Sequence, residues 1–243
     1  MTVPAADPPD PADADTSDAA GPGGQLIRAV QIMDRLRSPG GCPWDAQQTH
    51  SSLAPYLIEE AYETLEAIET ADLAALREEL GDLLLQVLFH ARLAEEAEAG
   101  ERFTIDDVAG DLVAKLVRRH PHVFADVVAD SADDVATNWD AIKKAEKQRD
   151  SVTDGIAMHQ PALALAAKLL SRSERAGLTV PMPAGDGIGE RLLAVVADAV
   201  RAGVDPEQAL RSSARDYRDA VRAGEQAAVG SEPHQAIDGA TGE

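Results

Sequence analysis

Apolar residues recur along most of the chain with a helical period. Leu26, Ile27, Val30, Met33 and Leu36 follow a helical spacing, and the run stops at Ser38-Pro39-Gly40-Gly41. Leu57, Ala61, Leu65 and Ile68 make a stripe on a second predicted helix, opened near Pro55. Leu73, Leu76, Leu80, Leu83, Val87 and Ala91 make a third, nearly uninterrupted to Gly100. Thr104-x-x-Asp107 is a capping-box-like start for a helix carrying Ile105, Val108, Leu112 and Leu116, which His120-Pro121 ends. Ser131-x-x-Asp134 starts one more, with Val135, Trp139 and Ile142 on one side. No convincing period-2 run competes, so the predicted fold class is all-α, with the helices packed as a bundle.

Beyond Asp154 the pattern changes. A stretch punctuated by Gly and Pro leads into a predicted helix from Pro161 to Ala176, a loop, and amphipathic helices near Glu190–Ala202 and Pro206–Ala223. The two ends read differently again. Residues 1–24 hold five Asp, five Pro and no basic residue, and after Arg222 come four acidic residues with no Lys or Arg. Neither end has an apolar period, and both read as disordered tails. The expected organisation is a tail over 1–24, a helical domain over 25–153, a second helical unit over 154–223 and a tail over 224–243.

Charge narrows the function. The 243 residues hold 43 Asp+Glu against 22 Lys+Arg, a formal net charge of −21. That argues against nucleic acid or an anionic membrane as partner, because both demand a basic footprint. Aromatics at 3% leave Ala, Leu and Val to carry the core, which suits helices. The single cysteine, Cys42, excludes an internal disulfide and a cysteine metal cluster. No apolar run approaches membrane length and the N-terminus lacks the pattern of a secretory signal, so the expectation is a soluble cytoplasmic protein.

The candidate chemistry lies in Glu59-Glu60-Ala61-Tyr62-Glu63 and in Glu79-Leu80-Gly81-Asp82. Residues three apart on a helix project together, so Glu60 pairs with Glu63 and Glu79 with Asp82. The short connection between the two helices makes them antiparallel neighbours. Four facing carboxylates repel one another unless a hard divalent cation neutralises them, and an all-oxygen donor set suits Mg²⁺ or Mn²⁺ rather than zinc. The competing reading is a solvated acidic face, and spacing alone leaves the two level. A second cluster, Lys115, Arg118 and Arg119, has the opposite sign. Guanidinium forks and a lysine point charge suit phosphate oxygens, although cations also gather at helix C-termini to offset the macrodipole. Trp139, with Lys143 and Lys144 one turn later, offers either a base-stacking wall beside phosphate ligands or ordinary core. Cys42 reads as turn packing, and His50 as a capping or packing residue.

Glu59-Glu60-x-x-Glu63 followed by Glu79-x-x-Asp82 resembles the pattern of the all-α nucleoside triphosphate pyrophosphohydrolases. Three further blocks narrow the resemblance to the MazG family: Gly41-Cys42-Pro43-Trp44-Asp45 with Gln48-Thr49-His50; Lys115-Leu116-Val117-Arg118-Arg119-His120-Pro121; and Asn138-Trp139-Asp140-Ala141-Ile142-Lys143-Lys144. The resemblance covers about residues 26–149. It implies an α-helical enzyme, usually dimeric, that cuts (d)NTPs to the monophosphate and pyrophosphate with Mg²⁺. It implies Glu60, Glu63, Glu79 and Asp82 as metal ligands, with Glu59 and Glu78 as acidic neighbours that orient or activate water. Lys115, Arg118 and Arg119 would grip the phosphates, Lys143 would join them, and Trp139 would border the nucleoside. A house-cleaning role on aberrant or surplus nucleotides follows from the same likeness.

Many MazG chains carry a second copy of the bundle, and the unit over 154–223 resembles a degenerate one. Gly187 stands where the second copy has its ExxD Glu, Glu190 where it has the Asp, and no EExxE precedes them. Such a unit is expected to bury its Leu192, Leu193, Val195 and Val196 stripe on the catalytic bundle or on a dimer mate, and to contribute no active site. Two other readings compete. A non-catalytic nucleotide- or protein-binding regulatory module is the alternative to the enzyme. A di-iron carboxylate bundle generally needs Glu-x-x-His, which neither acidic pair supplies.

Overall fold

The computed structural model describes residues 21, 23–125, 127, 131, 135, 138, 139, 142, 146, 150–183 and 185–230. Among them the chain is helical and contains no strand, as the apolar period predicts. The Asp-rich residues 1–20, most of the predicted helix after Ser131, and residues 231–243 lie outside the described residues; so do Lys143 and Lys144. Within that helix Val135, Asn138, Trp139, Ile142 and Glu146 are helical and half-buried. The chain divides into two compact units between Asp140 and Ala141.

The first unit holds α1 (Gly24–Arg37), α2 (Pro43–Gln47), α3 (His50–Glu69), α4 (Leu73–Ala94), α5 (Ile105–Arg119) and α6 (Pro121–Phe124). The break after α1 is tight. The Cys42 amide donates to the Leu36 carbonyl at 2.7 Å, and a Cβ at Gly41 would collide with the backbone carbonyls of Leu36 and Arg35, so only glycine fits there. Arg37 spans the break: its guanidinium forks onto Glu96 at 2.8 and 2.9 Å and donates to the Asp45 carbonyl. Arg37 in turn holds the Glu96 carboxyl below its usual range.

The sequence places the start of α3 near Pro55; it starts at His50. Thr49 and Ser52 form a reciprocal capping box, with Thr49 Oγ1 accepting from the Ser52 amide at 3.1 Å and Ser52 Oγ accepting from the Thr49 amide at 2.9 Å. That cap sets the boundary, and Pro55 sits inside the helix. The start of α5 follows the sequence signal, since Thr104 and Asp107 make the expected box.

The apolar stripe drawn through Leu57, Ala61, Leu65 and Ile68 is not the buried face of α3. Leu57 and Ile68 are exposed, and burial falls on Leu53, Thr64 and Ala67. The core gathers Met33 from α1, Leu53 from α3 and Leu88, Phe89 and Leu93 from α4, with Val30, Leu84 and Ile105 packed against it.

The turn between α3 and α4 brings the two acidic pairs opposite each other. Ala71 is left-handed (φ 56°), the Asp72 amide donates to the Ala67 carbonyl at 3.0 Å and the Ala71 amide to Ile68 at 3.2 Å. This is a Schellman closure with alanine where glycine is usual. Asp72 then caps α4, accepting from the Ala74 and Ala75 amides at 3.0 and 3.1 Å. Alanine in the left-handed region costs about 1–2 kcal/mol, so Ala71→Gly is expected to stabilise the protein by about 1 kcal/mol, read from chemical denaturation midpoints.

The second unit holds α7 (Ala162–Arg175), α8 (Ile188–Arg201) and α9 (Pro206–Gly230). On α8, Val196 is buried and Leu193, Ala197 and Val200 are half-buried, the i, i+3, i+4, i+7 set of one face. Within the unit itself, therefore, the four stripe residues divide between two faces of the helix. Leu192 and Val195 are 50% and 63% exposed, because they point away from that face. Helix α9 runs to Gly230, seven residues past the Ala223 end read from the sequence.

Candidate active site

Glu63 and Glu79 stand eight residues either side of Ala71, and Glu60 and Asp82 eleven either side. In an antiparallel hairpin centred on that turn, equal offsets meet, so Glu63 faces Glu79 and Glu60 faces Asp82. The structure bears this pairing out. Glu60, Glu79 and Asp82, all half-buried, each present a carboxylate oxygen, and these oxygens lie within 4.8 Å of one another. Glu63 is exposed and outside that tight triple, but it hydrogen-bonds Glu60 and acts electrostatically on Glu79.

The electrostatics follow from the crowding. The Glu60 carboxyl is raised above its ordinary 4.5, first by withdrawal from water, then by the charges of Asp82 and Glu63. Glu79 is raised in the same order of causes, by partial desolvation and then by Glu63, Asp82 and Glu78. Glu59 and Glu78 are exposed and add negative charge beside Glu60 and Glu79 respectively. A set of hard oxygen donors held together against its own repulsion fits a divalent cation: the donor chemistry is right, and a cation would relieve the strain on both raised carboxyls.

The basic triad divides. Lys115 and Arg118 line an open cavity of about 650 Å³ on α5, together with Phe103, Val108, Asp111 and Leu112. Asp107 and Ala114 complete its lining, so the two cations share this open wall with two carboxylates. Arg119 is not in the cavity wall; its guanidinium carbon sits 5.4 Å from the ring centre of Trp139. Trp139 also meets His120 edge-on at 4.9 Å, so its ring is engaged with the end of α5. Lys143 lies outside the described residues.

Two features escaped the sequence. Trp44, 51% exposed, packs edge-to-face on Tyr56 (6.2 Å) and on Phe89 (6.5 Å), and Tyr56 precedes Glu60 by one helical turn on the same face. This makes an aromatic ledge at the rim of the carboxylate cluster; an aromatic four residues before an acidic pair was the available signal. His50 pairs with His90: the rings are parallel within 3° and their Nδ1 atoms are 2.8 Å apart. Burial, then the neighbouring His50, holds His90 below its usual value. Forty residues separate the two histidines, and nothing local in the sequence announces the contact.

An all-helical unit with facing Glu-x-x-Glu and Glu-x-x-Asp pairs on a hairpin has the architecture of the all-α nucleotide pyrophosphohydrolases. The MazG nucleotide pyrophosphohydrolase domain matches residues 48–124, which include the four carboxylates and the basic triad. An uncharacterised 26.1 kDa protein of Streptomyces cacaoi is 55% identical over 84% of each chain. The nucleoside triphosphate pyrophosphohydrolase of Mycobacterium tuberculosis is 46% identical over 84% of this chain and 59% of its own length. The nucleoside triphosphate pyrophosphohydrolase/pyrophosphatase MazG of Thermotoga maritima is 40% identical over 77% of this chain and 80% of its own. The chain belongs to the MazG family. It spans about three-fifths of the length of the mycobacterial relatives it matches. Among the described residues no helix is long and apolar enough to cross a membrane.

Proposed function

We propose that this protein hydrolyses (d)NTPs to (d)NMP and pyrophosphate with Mg²⁺, clearing surplus or aberrant nucleotides. The observation that carries the reading is the convergence of Glu60, Glu79 and Asp82, with Glu63 beside them, on the α3–α4 hairpin. The names of the relatives in Mycobacterium tuberculosis and Thermotoga maritima support it. When bound by these four carboxylates, Mg²⁺ (or Mn²⁺) supplies neutralisation of phosphate charge and a lowered pKa for water. Glu59 and Glu78, exposed beside Glu60 and Glu79, orient water or accept its proton in this reading. Lys115 and Arg118 hold phosphate oxygens, and Trp139 with Arg119 borders the nucleoside. In the reaction the oxygen of water bonds to one phosphorus of the α,β-phosphoanhydride as the bridging P–O bond to that phosphorus breaks; the bridging oxygen stays on the other product, and the proton released passes to an acidic residue or solvent. The protein works as a homodimer: α5 buries none of its residues, and Leu112, Val113, Leu116 and Val117 stay 40–59% exposed on it.

The test is a panel of canonical and oxidised (d)NTPs with Mg²⁺, with both monophosphate and pyrophosphate measured. Equal yields of the two are expected. Release of orthophosphate and diphosphate, or no turnover across the panel, overturns the reading.

The raised carboxyls also predict a pH dependence. Between 4.5 and their raised values, Glu60 and Glu79 hold more proton in the folded than in the unfolded chain, so stability from this cluster falls as pH rises through that window. In chelator, Glu60→Gln is expected to match the parent below pH 4.5 and to melt higher above it. Added Mg²⁺ should reverse the order by stabilising the parent alone.

A further inference from the structure

The apolar face of α9 is turned outward. In an ideal helix Leu210, Ala214, Tyr217, Val221, Gly224 and Ala228 fall within about 80° of one another, spaced four and three residues apart in strict alternation. All six are exposed, Leu210 at 57%, Tyr217 at 73% and Val221 at 43%. The half-buried side of the helix is polar: Glu207, Arg211 and Arg215, with Arg211 bonded to Glu207 at 3.2 Å. The helix is also long for its surroundings, 25 residues against 14 in each of α7 and α8.

The stripe is complementary to itself when reversed. Aligned antiparallel about its midpoint, Leu210 meets Ala228, Ala214 meets Gly224 and Tyr217 meets Val221, so each pair in the seam sets a larger residue against a smaller one. In the same register Arg211 flanks the seam opposite Glu225 of the other helix, twice by symmetry. Arg218 meets its own copy at the axis, where the Asp219 carboxylate 3.0 Å from it on the same chain offsets the repulsion. A parallel pairing would instead stack tyrosine on tyrosine and glycine on glycine, and would set Arg211 and Glu225 each against its like. We propose that α9 pairs with α9 of a second copy of this chain as an antiparallel coiled coil centred between Tyr217 and Val221. This pairing does not rest on the pyrophosphohydrolase reading and uses none of its residues.

Disulfide trapping on the full chain tests it. In a Cys42→Ser background, Ala214→Cys and Gly224→Cys are introduced together; a side chain at 224 meets nothing within 4 Å in the isolated chain. Mild oxidation at micromolar protein should give a covalent dimer whose cross-linked peptide joins 214 to 224. Either single-cysteine chain should remain monomeric in denaturing gels, and Tyr217→Glu should abolish the cross-link with helicity unchanged. A double-cysteine chain that stays uncross-linked while folded overturns the proposal, whatever oligomer α5 builds. So does a 214–214 cross-link in the single variant as efficient as that of the pair.

Discussion

Asp82→Asn is expected to lower (d)NTP turnover by about a thousand-fold or more while leaving the helical content unchanged. Asp82 is one of the three residues whose oxygens converge, and it lies opposite Glu60 across the hairpin. An amide keeps the shape but removes a negative charge and one hard oxygen donor, so the cation would bind more weakly and sit less well placed. Loss of one preorganised electrostatic contact to a transition state typically costs about 3–4 kcal/mol, or 10²–10³ in rate. A ligand loss acts on binding as well as on rate. Glu63→Gln should have a comparable effect, through the residue that hydrogen-bonds Glu60 and acts on Glu79. The fold should survive both changes, because Asp82 and Glu63 stand outside the Met33–Leu53–Phe89 core and their neutralisation relieves repulsion. Pyrophosphate release and far-UV circular dichroism read the two halves of the expectation. Activity above a tenth of the parent in either variant removes that residue from the metal site.

How far the site could be read from the sequence depended on how local each signal was. The carboxylate hairpin was legible because two rules sufficed: i, i+3 spacing set each pair on one face, and a three-residue connection folded the helices back. The α5 boundary was legible because Thr104 and Asp107 cap within one turn. The α3 boundary was misplaced because Pro55 is a stronger breaker on paper than Thr49 and Ser52 are a starter, yet their two hydrogen bonds decide it. The buried face of α3 was misassigned for a different reason. Polar Thr64 is buried while Leu57 and Ile68 stay at the surface, so hydrophobicity alone points to the wrong side. The His50–His90 pair and the Arg37 clamp are long-range contacts that no window of sequence contains. Arg119 shows the limit of the basic-triad reading: helical spacing predicts a common direction with Lys115 and Arg118, but the guanidinium turns to the Trp139 ring.

Arg118→Ala should weaken triphosphate binding and slow turnover together, by about 1.5–3 kcal/mol, or roughly 10- to 150-fold, if it removes a charge-assisted hydrogen bond to phosphate. Lys115→Ala should fall at the lower end, since an ammonium offers a point charge rather than a fork. The rival role for both residues is compensation of the α5 macrodipole. That role predicts a stability loss of about 0.3–1 kcal/mol with substrate affinity untouched, so affinity and melting temperature separate the two. Lys115 and Arg118 share the wall of the open cavity with Asp107 and Asp111, so affinity measured on the variants decides between the two roles. Arg119 is placed otherwise, and its replacement should act mainly through the Trp139 contact. Arg118→Lys sharpens the comparison: charge at the helix end is kept, so the macrodipole role predicts full activity. A fork holding two phosphate oxygens predicts only partial recovery. An Arg118→Lys enzyme indistinguishable from the parent, together with an Arg118→Ala enzyme of unchanged affinity, would return this residue to the helix end and leave phosphate recognition to other groups.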